Sequence, residues 1–72
     1  YRVRLIHRNV PGVMARVNSI FASSEANVDA QILATVDEVG YVLTDISAGL
    51  GREALEELSH LPETVRLIAT PL

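Results

Sequence analysis

The apolar residues of this chain switch between a period of two and a period near 3.6, and the switches divide it into six elements. Val3 and Leu5 alternate with Arg2 and Arg4, which predicts a half-buried strand from about Tyr1 to His7. Pro11 suits a first helical turn, where its missing N–H costs nothing. Val13, Val17, Ile20 and Phe21 follow at helical spacing, so a helix is expected from about Pro11 to Ser23. Val28, Ala30, Ile32 and Ala34 return to period two in a second strand, Asn27 to Thr35. Asp37-Glu38-Val39-Gly40 then reads as a turn, and Tyr41 to Ala48 as the second arm of a hairpin, with Val42, Thr44, Ile46 and Ala48 inward. Gly49 and Gly51 bracket the entry to a second helix. Its apolar face is Leu50, Ala54, Leu55, Leu58 and Leu61, and it ends near Pro62. Val65, Leu67 and Ala69 mark a closing strand.

Strand, helix, strand, strand, helix, strand, in two similar halves of about thirty-five residues, is the order of a split β-α-β unit. The expected fold class is α+β: a ferredoxin-like βαββαβ sandwich, a four-stranded antiparallel sheet with both helices on one face. This topology puts the second strand at a sheet edge. The strand lacks the Lys, Pro or bulge-forming Gly that commonly guard such edges, so it is expected to pair with its mate in a homodimer. The weaker alternative is an edge blunted by Asp29 alone.

Composition narrows the function. A chain of 72 residues holds one small core, and without a starting Met it reads as a single domain, 1–72, excised from a larger protein. No Cys is present and the two His residues stand apart, so neither a disulfide framework nor a metal site is expected. A net charge of −3 with six Arg and no Lys argues against nucleic acid as a partner. No apolar run approaches the ~20 residues of a membrane span, and no signal peptide is visible, so a cytoplasmic location is expected.

The loop His7-Arg8-Asn9-Val10-Pro11-Gly12 is the best candidate for chemistry, because it delivers polar side chains to a helix start, whose free N–H groups suit an anion. Asn9 is placed to cap the helix, Gly12 to let a ligand approach the backbone, and His7 to meet a carboxylate. The same residues are also plain helix-start chemistry, and on loop composition alone capping and binding weigh about equally. Two other readings are weaker. An RNA-recognition module shares the element order, but Tyr41 has no second sheet aromatic beside it. A phosphate-ester enzyme built on His7 and Arg8 lacks a carboxylate to orient His7 and an activated hydroxyl.

Ile6-His7-Arg8-Asn9-Val10-Pro11-Gly12-Val13, then Asn18 and Ile20-Phe21-Ala22, Asn27-Val28 with Ala30-Gln31, and Gly40-Tyr41-Val42-Leu43-Thr44-Asp45-Ile46 closely resemble the ACT domains at the carboxy terminus of D-3-phosphoglycerate dehydrogenases. The resemblance spans essentially the whole chain. ACT domains of serine dehydratases carry similar loops, and a purely structural dimerisation module is a further alternative. The resemblance implies a catalytically inert regulatory domain that binds L-serine between two side-by-side copies, giving end-product feedback on serine biosynthesis. The parent would be an NAD-dependent oxidoreductase, with the NAD site and catalytic residues outside this segment. By residue, it implies ligand contact at His7, Asn9, Val10, Pro11, Gly12 and Val13 of one copy and Asn27 of the other, with Asn oxygens accepting from the ligand's ammonium. One position departs: Glu25 stands where the family commonly carries Gly before the second strand. Left-handed backbone there would cost about 1 kcal/mol and is expected to disturb the helix exit and the placement of Asn27.

Overall fold

The computed structural model describes residues 1–47 and 50–72. Its elements run β1 (Arg2–Arg8), α1 (Val13–Ser23), β2 (Val28–Val36), β3 (Val39–Ile46), α2 (Arg52–His60) and β4 (Thr64–Thr70). The strands form one antiparallel sheet in the order β2-β3-β1-β4, the expected βαββαβ arrangement with β2 at an edge.

Strand pairing explains which side chains are buried. Val3 lies opposite Thr44, Leu5 opposite Val42 and His7 opposite Gly40, so these residues share one sheet face. Val13, Val17, Ile20 and Phe21 of α1, with Ala54 and Leu58 of α2, close over that face and complete the core. Val42, Thr44 and Ile46 point inward as their alternation predicts, each 1% exposed. The inward placement expected of Ala48, and the helix-entry role expected of Gly49, fall outside the described residues. Gly51 stands at the N-cap of α2, as expected.

β2 departs from the expected pattern. All nine of its residues are exposed, and it adds nothing to the core. Its register slips between Val28 and Ala30: Val28 lies opposite the buried Ile46, but Ala30, Ile32 and Ala34 lie opposite Asp45, Leu43 and Tyr41. A bulge at Asp29 therefore changes the phase of the strand and turns Ala30, Ile32 and Ala34 to the face away from the helices. Gln31 and Leu33 take the helix side instead, and Gln31 Nε2 donates to Asn18 Oδ1 and Thr44 Oγ1, both at 3.0 Å. The edge thus carries one irregularity near its start and runs on in regular register from Ala30 to Val36.

The turn between β2 and β3 is shorter than the sequence suggests. Val36 pairs with Val39, leaving only Asp37 and Glu38 in the loop, and Asp37 takes the left-handed conformation with φ 52°. Val39 and Gly40 already belong to β3.

The loop between β1 and α1

Three backbone contacts anchor the end of β1. Arg8 N–H donates to Glu63 O at 2.8 Å, Asn9 N–H to Glu38 O at 2.8 Å, and Val10 N–H to Arg8 O at 3.0 Å. The loop is thereby tied both to the approach to β4 and to the β2–β3 hairpin tip. A second strap comes from the Asn9 side chain, whose Nδ2 donates to Asp37 O at 3.3 Å.

Pro11 and Gly12 do a different job from the one their sequence suggests. Val13 N–H reaches Val10 O at 3.4 Å, and Gly12 has φ 88° and ψ −8°. Those angles are the third position of a type II turn, with Pro at the second, so the pair forms a turn that feeds the helix instead of its first coil. Gly12 is the N-cap of α1 and no side chain caps it, which corrects the expectation for Asn9. The expected capping geometry fails because Asn9 lies three residues before Gly12, with a complete turn between them. With no side-chain cap and no acidic residue in the first turn, the Met14 and Ala15 N–H groups have no protein acceptor among the described residues.

His7 sits behind this loop and is 2% exposed. Its Nδ1 lies 2.9 Å from Arg8 O. A carbonyl only accepts, so Nδ1 carries the proton, and in the neutral form of the ring Nε2 is left as an acceptor. Nε2 is buried and has no partner among the described residues. The space for the ring comes from Gly40, opposite in β3, where a Cβ would overlap Cε1 and Nε2 and lie 3.0 Å from Nδ1.

Sequence reasoning missed Arg16, Glu63, Asp37 and Gly40. The Arg16 guanidinium lies over the turn, 3.5 Å from where a Gly12 Cβ would be, and is paired with the Glu63 carboxylate. Only its spacing of four residues from Gly12 on a helix pointed to this; Glu63 is distant in sequence. Arg8, considered with His7 for a phosphate-ester site, is exposed at the strand end.

Within one chain, Asn27 does not reach the loop. Its neighbour Val28 lies opposite Ile46, whereas His7 lies opposite Gly40, so six residues of β3, roughly 20 Å at 3.4 Å each, separate the two ends. Asn27 Nδ2 donates to Ser47 Oγ at 3.1 Å and to Asp29 Oδ1 at 3.2 Å. Asn27 is not a left-handed turn residue; Glu25 is, with φ 59°. The Glu25 N–H bonds to Ala22 O and the Ala26 N–H to Phe21 O, the paired contacts of a Schellman ending. The helix exit therefore keeps the glycine-type geometry despite its glutamate.

Val10, Pro11 and Gly12 are exposed and Val13 is buried at 2%. Two concavities, of about 370 and 350 Å³, lie elsewhere, one along Glu53, Glu56, Glu57 and His60, the other between α2 and β4. No metal-type cluster occurs among the described residues, and none of their helices is long and apolar enough to cross a membrane.

The chain is similar to several known proteins. The chain is 40% identical over 67 residues to D-3-phosphoglycerate dehydrogenase of Escherichia coli K12, covering 90% of this chain and 16% of the relative. Against the Dictyostelium discoideum enzyme of the same name it is 36% identical over 66 residues, 92% of this chain and 16% of that one. Among solved structures, the ACT domain from GTP pyrophosphokinase of Chlorobium tepidum superposes with a TM-score of 0.75 at 10% identity, covering 93% of this chain and 91% of that chain. Residues 3–66 match the family described as the AHAS small subunit-like ACT domain. The chain belongs to the ACT domain family.

Proposed function

We propose that this chain is the amino-acid-sensing regulatory part of a longer D-3-phosphoglycerate dehydrogenase and that two copies bind L-serine between them. The observation that carries the reading is the outer edge of β2. Ile32 is its midpoint, Asn27 lies five residues to one side, and Asp37, strapped to Asn9, lies five to the other. Antiparallel pairing of two such edges about a two-fold axis at Ile32 would bring Asn27 of one copy beside the Asn9–Asp37 corner of the other. The separation of about 20 Å within one chain becomes proximity between two.

The chemistry of the corner suits an α-amino acid. Both Asn amide nitrogens are already donating within the protein, which leaves their oxygens to accept from an ammonium. The uncapped start of α1, with Arg16 above the turn, suits the carboxylate. A ligand held by both copies favours the paired state, and biases the dehydrogenase only by its differential affinity for one arrangement of the parent.

Thermal denaturation of a verified dimer with each of the twenty amino acids tests this reading. L-serine is expected to raise the midpoint and Asn9→Ala to abolish the rise. A dimer whose midpoint ignores every amino acid would instead be an assembly module, a reading favoured by the same apolar, exposed β2.

A further inference from the structure

We infer that Gly40 is a positioning residue for His7, and that the two act as one unit in setting which atom of the imidazole the site can use. Gly40 is not needed for the turn, which Asp37 and Glu38 complete alone, and its φ is not positive. In the middle of a strand pairing, glycine weakens the strand and contributes no side chain to packing. What it supplies is room, since any Cβ there would coincide with the His7 ring.

That room determines the chemistry of the ring. With the imidazole against the β3 backbone, Nδ1–H is donated to Arg8 O, and Nε2 is left as a buried acceptor that none of the described residues satisfies. Burying an unpaired acceptor is unfavourable, so the arrangement disfavours the empty site and rewards any group that donates to Nε2. Resting on the amino-acid-binding reading, the inference specifies the ligand further: the group that meets His7 is an O–H or N–H donor such as the serine hydroxyl, not a carboxylate oxygen. Nε2 is closed to solvent, so contact with such a donor would require a local opening of the surrounding chain.

The test uses Gly40→Ala, His7→Ala and the double variant of the same 72-residue chain, with three readouts. The first is the thermal midpoint, the second the long-range nitrogen–proton spectrum of the imidazole, assigned to His7 by its loss in His7→Ala, and the third the midpoint shift caused by L-serine and by L-alanine. We expect the parent to show the Nδ1–H tautomer and a larger shift with L-serine than with L-alanine. Gly40→Ala should lower the midpoint by several degrees, change the His7 spectrum and lose the L-serine shift. The double variant should regain most of the lost midpoint, because an Ala–Ala pair fits where Ala–His does not, yet remain indifferent to L-serine. An unchanged His7 spectrum in Gly40→Ala, or a double variant no more stable than Gly40→Ala, would overturn the positioning role. If Gly40→Ala does not fold, recovery in the double variant decides the matter. A parent that shifts with neither amino acid would sink the ligand reading, while the spectrum and the double variant still judge Gly40.

Discussion

Arg2 and Asp45 are register partners on β1 and β3, and the guanidinium grips the carboxylate through two parallel contacts, Nε to Oδ1 at 2.8 Å and Nη2 to Oδ2 at 3.0 Å. The Arg2 hydrogen bond holds the Asp45 carboxyl below the usual aspartate range, and Asp45 in turn raises Arg2.

The sign of the pH dependence follows. An unfolded aspartate titrates at about 3.9, and the folded group titrates lower. The stabilisation from Asp45 is therefore complete above about pH 4 and is lost as pH falls through the folded value. Asp45→Asn should unfold at a lower temperature than the parent at pH 7, and the gap should narrow at acid pH, below about 4, as the folded carboxyl takes up its proton. The gap should also narrow in 1 M salt, because the pair is partly exposed. Thermal scans at the two pH values check this.

Glu25 occupies a left-handed position that glycine adopts without strain. Glu25→Gly should stabilise the chain by about 1 kcal/mol, roughly 4–8 °C in midpoint for a domain of this size. Glu25→Ala, which keeps a Cβ at φ 59°, should give little of that gain. A glycine variant no more stable than the alanine variant would mean that the Schellman ending tolerates the side chain without strain.

Ile32 is 62% exposed and lies outside the core. Ile32→Lys would set two like charges near a two-fold axis. The monomer's fold should survive, with an unchanged far-ultraviolet spectrum. Sedimentation should show dimer association weakened by at least about tenfold in affinity, equivalent to 1.4 kcal/mol, and the response to L-serine should disappear with it.

Leu58 is fully buried between α2 and the sheet. Leu58→Ala removes several methylene-sized groups and leaves a cavity, at a cost of about 2–5 kcal/mol. Against the marginal stability of so small a domain, that should bring denaturant unfolding to very low concentrations or abolish folding at 37 °C.

The comparison of sequence with structure divides along range. Elements whose burial follows from their own period were legible: Val42, Thr44 and Ile46 inward, and Val13, Val17, Ile20 and Phe21 as one helix face. β2 was legible as an edge strand, but not in phase, because a bulge at Asp29 shifts the alternation of everything after it and only pairing with β3 reveals the shift. Pro11 and Gly12 were recognisable as helix-start residues, though the type II turn that separates Asn9 from the cap was not. Glu25 announced itself by standing where glycine is usual, and it does adopt positive φ. Gly40 was read as a turn residue because Asp37 and Glu38 precede it; its role depends on His7, thirty-three positions away, which no local pattern encodes. Arg16 and Glu63 meet across a still longer separation.

A strand that gives the core nothing is also free of the core's demands. Nine consecutive side chains on β2 can change without opening a cavity or burying a charge, whereas a single methylene lost at Leu58 is felt throughout the domain. If β2 edges pair as proposed, that freedom makes β2 an address more than a brace: altering Ile32, Ala34 or Val36 would change which edges it accepts and which it refuses. Where several related domains share one compartment, discrimination between self and near-self can be retuned there at no expense to the fold.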